Sequence, residues 1–127
     1  MSSKSDNCGF NAISPEHAKQ LLDDGRAILI DIREPDEFAR EHIIGARLAP
    51  LGAIDVHDFD RERAAGKAVI FQCQSGRRTS NNSDNLIALG FATTYVIEGG
   101  LNAWRAAGLP VHIDNRPIQS PPTTKDA

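Results

Sequence analysis

The chain predicts an α/β fold, a mostly parallel sheet with helices on both faces. Three observations lead there. Residues 27–32, 67–72 and 94–97 are short and nearly continuous apolar or β-rich runs, as strands covered on both faces require. Between them lie segments with helix start and stop signals, and alternation at this spacing marks parallel strand–helix–strand units. Finally, 127 residues with 40% hydrophobic content suffice for one domain with its own core and leave little for a second.

Taken in order, residues 1–9 are small and polar and read as a loose arm. Ser14 and Pro15 precede apolar positions Ala18, Leu21 and Leu22, which makes Ser14 an N-cap and Pro15 the first helical residue. Asp23-Asp24-Gly25 ends that helix, and residues 27–32 form the first buried strand. Glu34-Pro35-Asp36-Glu37 opens a second helix, with acids where unpaired amides favour them; Phe38 marks its packing side, and it cannot outlast His42 before Gly45. Residues 46–48 are a brief strand. Residues 50–66 are the least legible part: 55–63 is densely charged with Val56 and Phe59 interspersed, compatible with a short surface helix or an ordered loop. Residues 67–72 are the second buried strand. Residues 79–89 read as one helix with Leu86 and Leu89 inward and Gly90 as its stop. After the 94–97 strand, Gly99-Gly100 turns the chain into a helix over 101–107 that packs on Trp104 and closes at Gly108. The domain therefore spans 10–113, and 114–127 is a polar, proline-rich tail.

Composition removes several function classes. With 14 Lys plus Arg against 17 Asp plus Glu, the net charge of -3 provides no basic stripe for nucleic acid. Two cysteines, Cys8 and Cys73, are too few for a disulfide scaffold. No apolar run approaches the roughly 18 residues of a membrane span, and the N-terminus lacks a signal-peptide core. The expectation is a soluble, cytoplasmic protein, a monomer or weak dimer, without membrane or nucleic-acid partners. Four scattered histidines and two cysteines do not meet metal-ligand spacing, and no glycine-rich phosphate motif occurs. Neither a metal nor a bound cofactor is implied.

One segment carries chemistry. Cys73-Gln74-Ser75-Gly76-Arg77-Arg78-Thr79 joins a buried strand to a helix, at the carboxyl end of the sheet where open α/β folds place their sites. Successive amides in such a turn form an anion-binding nest. The following helix turns its positive end to the same point, and Arg77 and Arg78 add fixed charge. All three favour thiolate over thiol at Cys73. Gly76 supplies the positive φ that a curled loop needs. Against this stands the plainer reading of a buried thiol at a strand end with two surface arginines.

The chain resembles the rhodanese, or sulfurtransferase, superfamily in its single-domain form. The likeness rests on Ile30-Asp31-Ile32-Arg33-Glu34-Pro35-Asp36-Glu37-Phe38, on His42-Ile43-Ile44-Gly45-Ala46, and on the Cys73 loop. Leu89-Gly90-Phe91, Val96-Ile97-Glu98-Gly99-Gly100 with Ala103-Trp104, and Ala107-Gly108-Leu109-Pro110 complete it. Together they cover roughly residues 11–111 in a specific order and spacing. The resemblance implies a five-stranded sheet and a transferase moving sulfane sulfur from thiosulfate or a persulfide, through a Cys73 persulfide, to a thiol or cyanide. A protein sulfur acceptor fits the same chemistry. Cys73 would be the nucleophile, with the amides of Gln74, Ser75, Gly76, Arg77 and Arg78 cradling thiolate and donor. The alternative is a non-catalytic member, a protein-binding module or a sulfur carrier. Inactive members tend to lose the cysteine, whereas a carrier receiving a persulfide from a partner would keep the same loop. The fold is shared with certain cysteine phosphatases and arsenate reductases, but their loop has five residues between Cys and Arg. Here Arg78 follows Cys73 after four, and Thr79 stands at the phosphatase arginine position.

The resemblance also places Asp31 and Arg33 near the loop. There Asp31 either orients loop amides, pairs with Arg78, or simply forms a local ion pair with Arg33. Arg77 is the better candidate for an external anion. His42 and Trp104 read as structural, and Glu98 serves the turn or borders the pocket. Two departures stand out. The residue after the cysteine, often basic in thiosulfate rhodaneses, is Gln74, which favours a less charged persulfide donor. And Asn81, Asn82, Ser83, Asp84 and Asn85 are poor helix-interior choices, so they are either exposed or make caps around the loop. Cys8 is either an incidental thiol or a resolving partner for Cys73.

Overall fold

The computed structural model describes residues 10–114. The expected arm at 1–9 with Cys8, and the expected tail beyond Asp114, lie outside the described residues. Five parallel strands form the main sheet: β1 (Phe10–Ile13), β2 (Ala27–Asp31), β4 (Arg47–Leu48), β5 (Ala68–Gln72) and β6 (Thr94–Ile97), in the order β1-β6-β5-β2-β4. The sheet's centre is the register Ala27↔Ala68 through Asp31↔Gln72 between β2 and β5, and Val69↔Thr94 through Phe71↔Val96 between β5 and β6. The predicted strands at 27–32, 67–72 and 94–97 thus coincide with the three central strands to within a residue. A separate antiparallel pair joins β3 (Glu41–Ile43) to β7 (Val111–Ile113).

Alternation along the strands sorts the core into two layers. Leu29, Ile70 and Ile97 face α1 (Pro15–Asp23) and α6 (Gly100–Ala106), with Leu21, Leu101 and Trp104 closing that side. Ile30, Val69 and Phe71 face the other way, onto Phe59, Leu86, Leu89 and Phe91. The helices begin where capping chemistry permits: Ser14 Oγ accepts from His17 N at 3.1 Å, with Pro15 in the first turn. α2 (Pro35–Arg40) ends before His42, whose Nδ1 lies 2.7 Å from Phe38 O while its ring stacks on Phe38, a structural histidine. The charged stretch after Pro50 resolves into two single-turn 3-10 helices, Leu51–Ala53 and Val56–Phe59, and α3 (Asp60–Ala64), with Phe59 as its buried anchor.

The single helix expected at 79–89 is two: α4 (Arg77–Asn81) and α5 (Ser83–Ile87), broken at Asn82, whose backbone leaves the helix at φ -122°. The cause is local. Asn82 Nδ2 donates to Arg78 O at 2.8 Å, the competition with helix geometry that short polar side chains offer. Asn81, Asp84 and Asn85 are exposed. All five strands of the main sheet, being parallel, deliver their carboxyl ends to one edge, and the cysteine loop leaves β5 there.

Candidate active site

Cys73 is the residue after β5 and is only 1% exposed. The loop that follows is held from behind by α6. Leu101 N donates to Cys73 O at 2.9 Å and Asn102 N to Gln74 O at 3.0 Å, so the first amides of α6 take the loop's carbonyls. With its carbonyls pinned outward, the loop turns an amide toward sulfur: Gly76 N donates to Cys73 Sγ at 3.2 Å. Gly76 has φ +92°, a conformation that a side chain disfavours. Thr79 Oγ1 donates to Gly76 O at 2.8 Å and lies 3.9 Å from Sγ, so Thr79 ties the far end of the loop to its cysteine. Ser75, the remaining loop residue, is exposed at the rim.

Close approach between loop and helix depends on Gly100. A Cβ there would sit 2.4 Å from Cys73 O and 2.9 Å from both Gln74 C and Gly76 N. The sequence marked Gly99-Gly100 only as a turn; the structure makes Gly100 part of the loop's seat. The signal was available in the paired glycines directly before a helix, since one glycine suffices for a turn.

The arginines sort differently from expectation. Asp31 is fully buried and pairs with Arg33, whose Nε donates to Oδ1 at 3.0 Å and NH2 to Oδ2 at 2.9 Å. Asp31 therefore does not pair with Arg78, nor does its side chain hold loop amides. Arg33 instead carries the connection: its NH1 donates to Gln74 Oε1 at 2.9 Å and its NH2 to Glu41 O at 2.6 Å. Gln74 Nε2 in turn donates to Asn102 Oδ1 at 2.7 Å. The neutral Gln74 amide thus bridges the buried ion pair to α6.

Arg78 finds Glu37, with NH1 and NH2 each 2.9 Å from one carboxylate oxygen. Glu37 also accepts from Glu34 N at 2.9 Å. The bidentate Arg78 contact comes first and the Glu34 amide adds to it; together they outweigh burial and lower the Glu37 carboxyl from 4.5 to about 2. The same bond raises Arg78 above its ordinary value, with the Cys73 and Asp31 charges adding smaller amounts. In the sequence Glu37 reads only as a first-turn acid, with nothing to mark its pairing with Arg78. Arg77 is exposed, and its side chain makes no hydrogen bond or ion pair among the described residues. Just before the cysteine, the fully buried Gln72 side-chain amide finds no partner among the described residues for either Nε2 or Oε1.

With α4 only five residues long, aligned helix dipoles contribute less than a long helix would, so the cradle is chiefly loop backbone. Chemically, it can stabilise a thiolate or an anionic sulfur adduct at Cys73. No group of three or more His, Cys, Asp or Glu suited to a metal occurs among the described residues. No helix among them is long and apolar enough to cross a membrane.

The family described as Rhodanese-like domain matches residues 14–107. An uncharacterized protein of Synechocystis is 39% identical over 107 residues, 84% of this chain and 59% of that protein, so the chain spans less than two thirds of that relative. A thiosulfate sulfurtransferase GlpE of Ectopseudomonas mendocina is 35% identical over 97 residues, covering 76% of this chain and 86% of that protein. Among solved structures, a rhodanese-like domain from Anabaena has a TM-score of 0.69 at 21% identity and covers 91% of both chains. A thiosulfate sulfurtransferase from Pseudomonas aeruginosa gives 0.71 at 21% identity, over 82% of this chain and 20% of that one. At these identities the structural likeness speaks to the fold.

Proposed function

The chain belongs to the Rhodanese-like domain family, and from that premise we propose that it is a sulfurtransferase working through a persulfide on Cys73. The observation that carries this reading is the Gly76 N–H donated to Cys73 Sγ at 3.2 Å in a loop whose carbonyls are held away by α6. A backbone amide aimed at sulfur stabilises the thiolate before reaction and the departing or persulfide sulfur after it. In the first half-reaction the Cys73 thiolate attacks the outer sulfur of thiosulfate. The sulfur–sulfur bond breaks, sulfite leaves with its electron pair, and Cys73–S–S⁻ remains. A low-molecular-weight persulfide serves as donor in the same way, with a thiolate as leaving group. In the second half-reaction a thiolate or cyanide attacks the outer sulfur and Cys73 leaves as thiolate. The neutral Gln74, its amide engaged by Arg33 and Asn102, supports the persulfide as the better donor. The four-residue spacing from Cys73 to Arg78 supports sulfur chemistry over phosphoryl transfer.

Intact mass spectrometry tests this. Incubation with thiosulfate or a small persulfide should add one sulfur atom to the protein, removed by cyanide or a thiol and absent in Cys73→Ala. No adduct with either donor would refute the reading.

A further inference from the structure

The antiparallel pair of β3 and β7 sets two histidines, His42 and His112, directly opposite each other. We propose that they form a binding site for one divalent transition-metal ion of the zinc and copper class, and that the ion clasps β7 to β3. The site is separate from the cysteine loop and does not depend on the sulfurtransferase reading.

Spacing is the first support. Facing residues on paired strands project to the same side of the ribbon, and the two imidazole centres lie 5.1 Å apart. Two imidazoles bound through nitrogen to one tetrahedral ion, at about 2.0–2.1 Å, hold their ring centres roughly 5 Å apart. The tautomer is the second. His42 Nδ1 lies 2.7 Å from the Phe38 carbonyl oxygen, which can only accept, so this nitrogen carries the proton. In the neutral ring the lone pair is then on Nε2. A metal-bound histidine is usually braced in this way, its other ring nitrogen donating to a backbone carbonyl or carboxylate. Stacking on Phe38, with ring centres 3.8 Å apart and planes 4° apart, fixes the ring further. One ligand is thus held ready before any ion arrives.

The third support is that these nitrogens are uncommitted. Neither His42 Nε2 nor the His112 ring has a hydrogen-bond or ion-pair partner among the described residues. His112 is exposed, so its ring can turn from its present 37° tilt and bring a nitrogen to the same ion. Imidazole suits zinc and copper, whereas the harder magnesium and calcium prefer oxygen. Nearby Glu41 is engaged by Arg105, so the protein supplies two ligands and water takes the remaining positions. Asp114 N donates to Arg40 O at 2.9 Å and continues the ribbon beside the pair. Each strand has only three residues, so a shared ion would add substantially to a short ladder.

Zn²⁺ added to the full-length, tag-free chain tests this, followed by proton–nitrogen NMR spectra of the imidazole rings. His42 Nε2 and one His112 nitrogen should shift together and saturate at the same concentration, and the thermal midpoint should rise. Even an outer partner of a metal ligand is worth about 10–100-fold in affinity, so His112→Ala should weaken the His42 response at least about 100-fold. That variant should also lose the rise in midpoint, while replacing the exposed His57 with alanine should change neither reading. Both rings unmoved by millimolar Zn²⁺, or a His42 shift that survives His112→Ala, overturns the site. So does zinc that moves only the resonances of the Cys73 loop. Sulfur loading of Cys73 is measured separately and stands or falls apart from this result.

Discussion

Replacing Gly100 with alanine tests whether α6 seats the cysteine loop. The new Cβ would lie 2.4 Å from Cys73 O and 2.9 Å from Gln74 C and Gly76 N. All three are backbone atoms, so no side chain can swing aside, and the loop or the helix must retreat by more than half an ångström. Either movement stretches the Leu101 N–Cys73 O and Asn102 N–Gln74 O bonds that turn the loop's amide toward sulfur. The residue also sits at φ +59°. Overpacking costs about 1–3 kcal/mol and the left-handed backbone about another 1 kcal/mol, giving a total of about 2–4 kcal/mol. A reacting group misplaced by about 1 Å loses roughly 100-fold in rate. Gly108→Ala is the matched control: its φ is +77° but nothing lies within 4 Å of its Cβ. That variant should lose only about 1 kcal/mol and keep its rate of sulfur uptake. Urea unfolding gives the stabilities, and time-resolved intact mass with excess thiosulfate gives the rates. A Gly100→Ala protein that takes up sulfur within threefold of wild type would refute the reasoning, as would equal damage from Gly108→Ala.

Three further outcomes are expected. Asp31→Asn leaves the Arg33 guanidinium, 2% exposed, without its countercharge; urea unfolding should show a loss of about 3–5 kcal/mol, largely recovered in Asp31→Asn/Arg33→Met. A loss under about 1 kcal/mol in the single variant contradicts the buried pair. Glu37→Gln should destabilise at neutral pH. Because the Glu37 carboxyl is lowered from 4.5 to about 2, the pair's contribution is complete above about pH 4.5 and disappears as pH falls toward 2. The gap in urea midpoint between wild type and Glu37→Gln should therefore close over that interval, and a gap constant from pH 6 to 2 defeats the assignment. Finally, Gln72→Met removes a buried amide that has no partner among the described residues and should stabilise the fold by about 1–2 kcal/mol; a lower thermal midpoint would show that the amide is satisfied after all.

Most of the sheet was legible because its three central strands are buried on both faces and so read as unbroken apolar runs. β1 was not legible. As an edge strand of four residues, it keeps Asn11 and Ala12 exposed and carries no burial signature. The β3–β7 pair was hidden for a related reason: three residues each, separated by most of the domain, with Ile113 half exposed. The break at Asn82 was foreshadowed by the run from Asn81 to Asn85, yet which of them would divide the helix depended on a single back-bond to Arg78. At the site, residues adjacent in sequence were readable, and the Cys73–Thr79 loop closes as its spacing suggests. The partners that come from far along the chain, Glu37 and Gly100, needed the fold.

That division changes how the site's charge should be understood. From sequence, three positive features converge on Cys73: two arginines and a helix start. In the fold, Arg78 is neutralised by Glu37, and the nearby Arg33 by Asp31. The helix start belongs to a five-residue helix. What faces Sγ directly is an uncharged amide, that of Gly76. A cradle built from backbone dipoles stabilises one localised sulfur charge without a field that favours every anion equally, because dipoles fall off faster with distance than fixed charges. The arginines thus act first as struts: Arg33 braces Gln74, and Arg78 fastens the loop to α2 through Glu37. At the rim, the exposed Arg77 and Glu98 side chains have no partner among the described residues. The net positive surroundings that the sequence suggested for the cysteine are therefore replaced by a seat in which a backbone dipole faces the sulfur and Arg33 and Arg78 are spent on ion pairs.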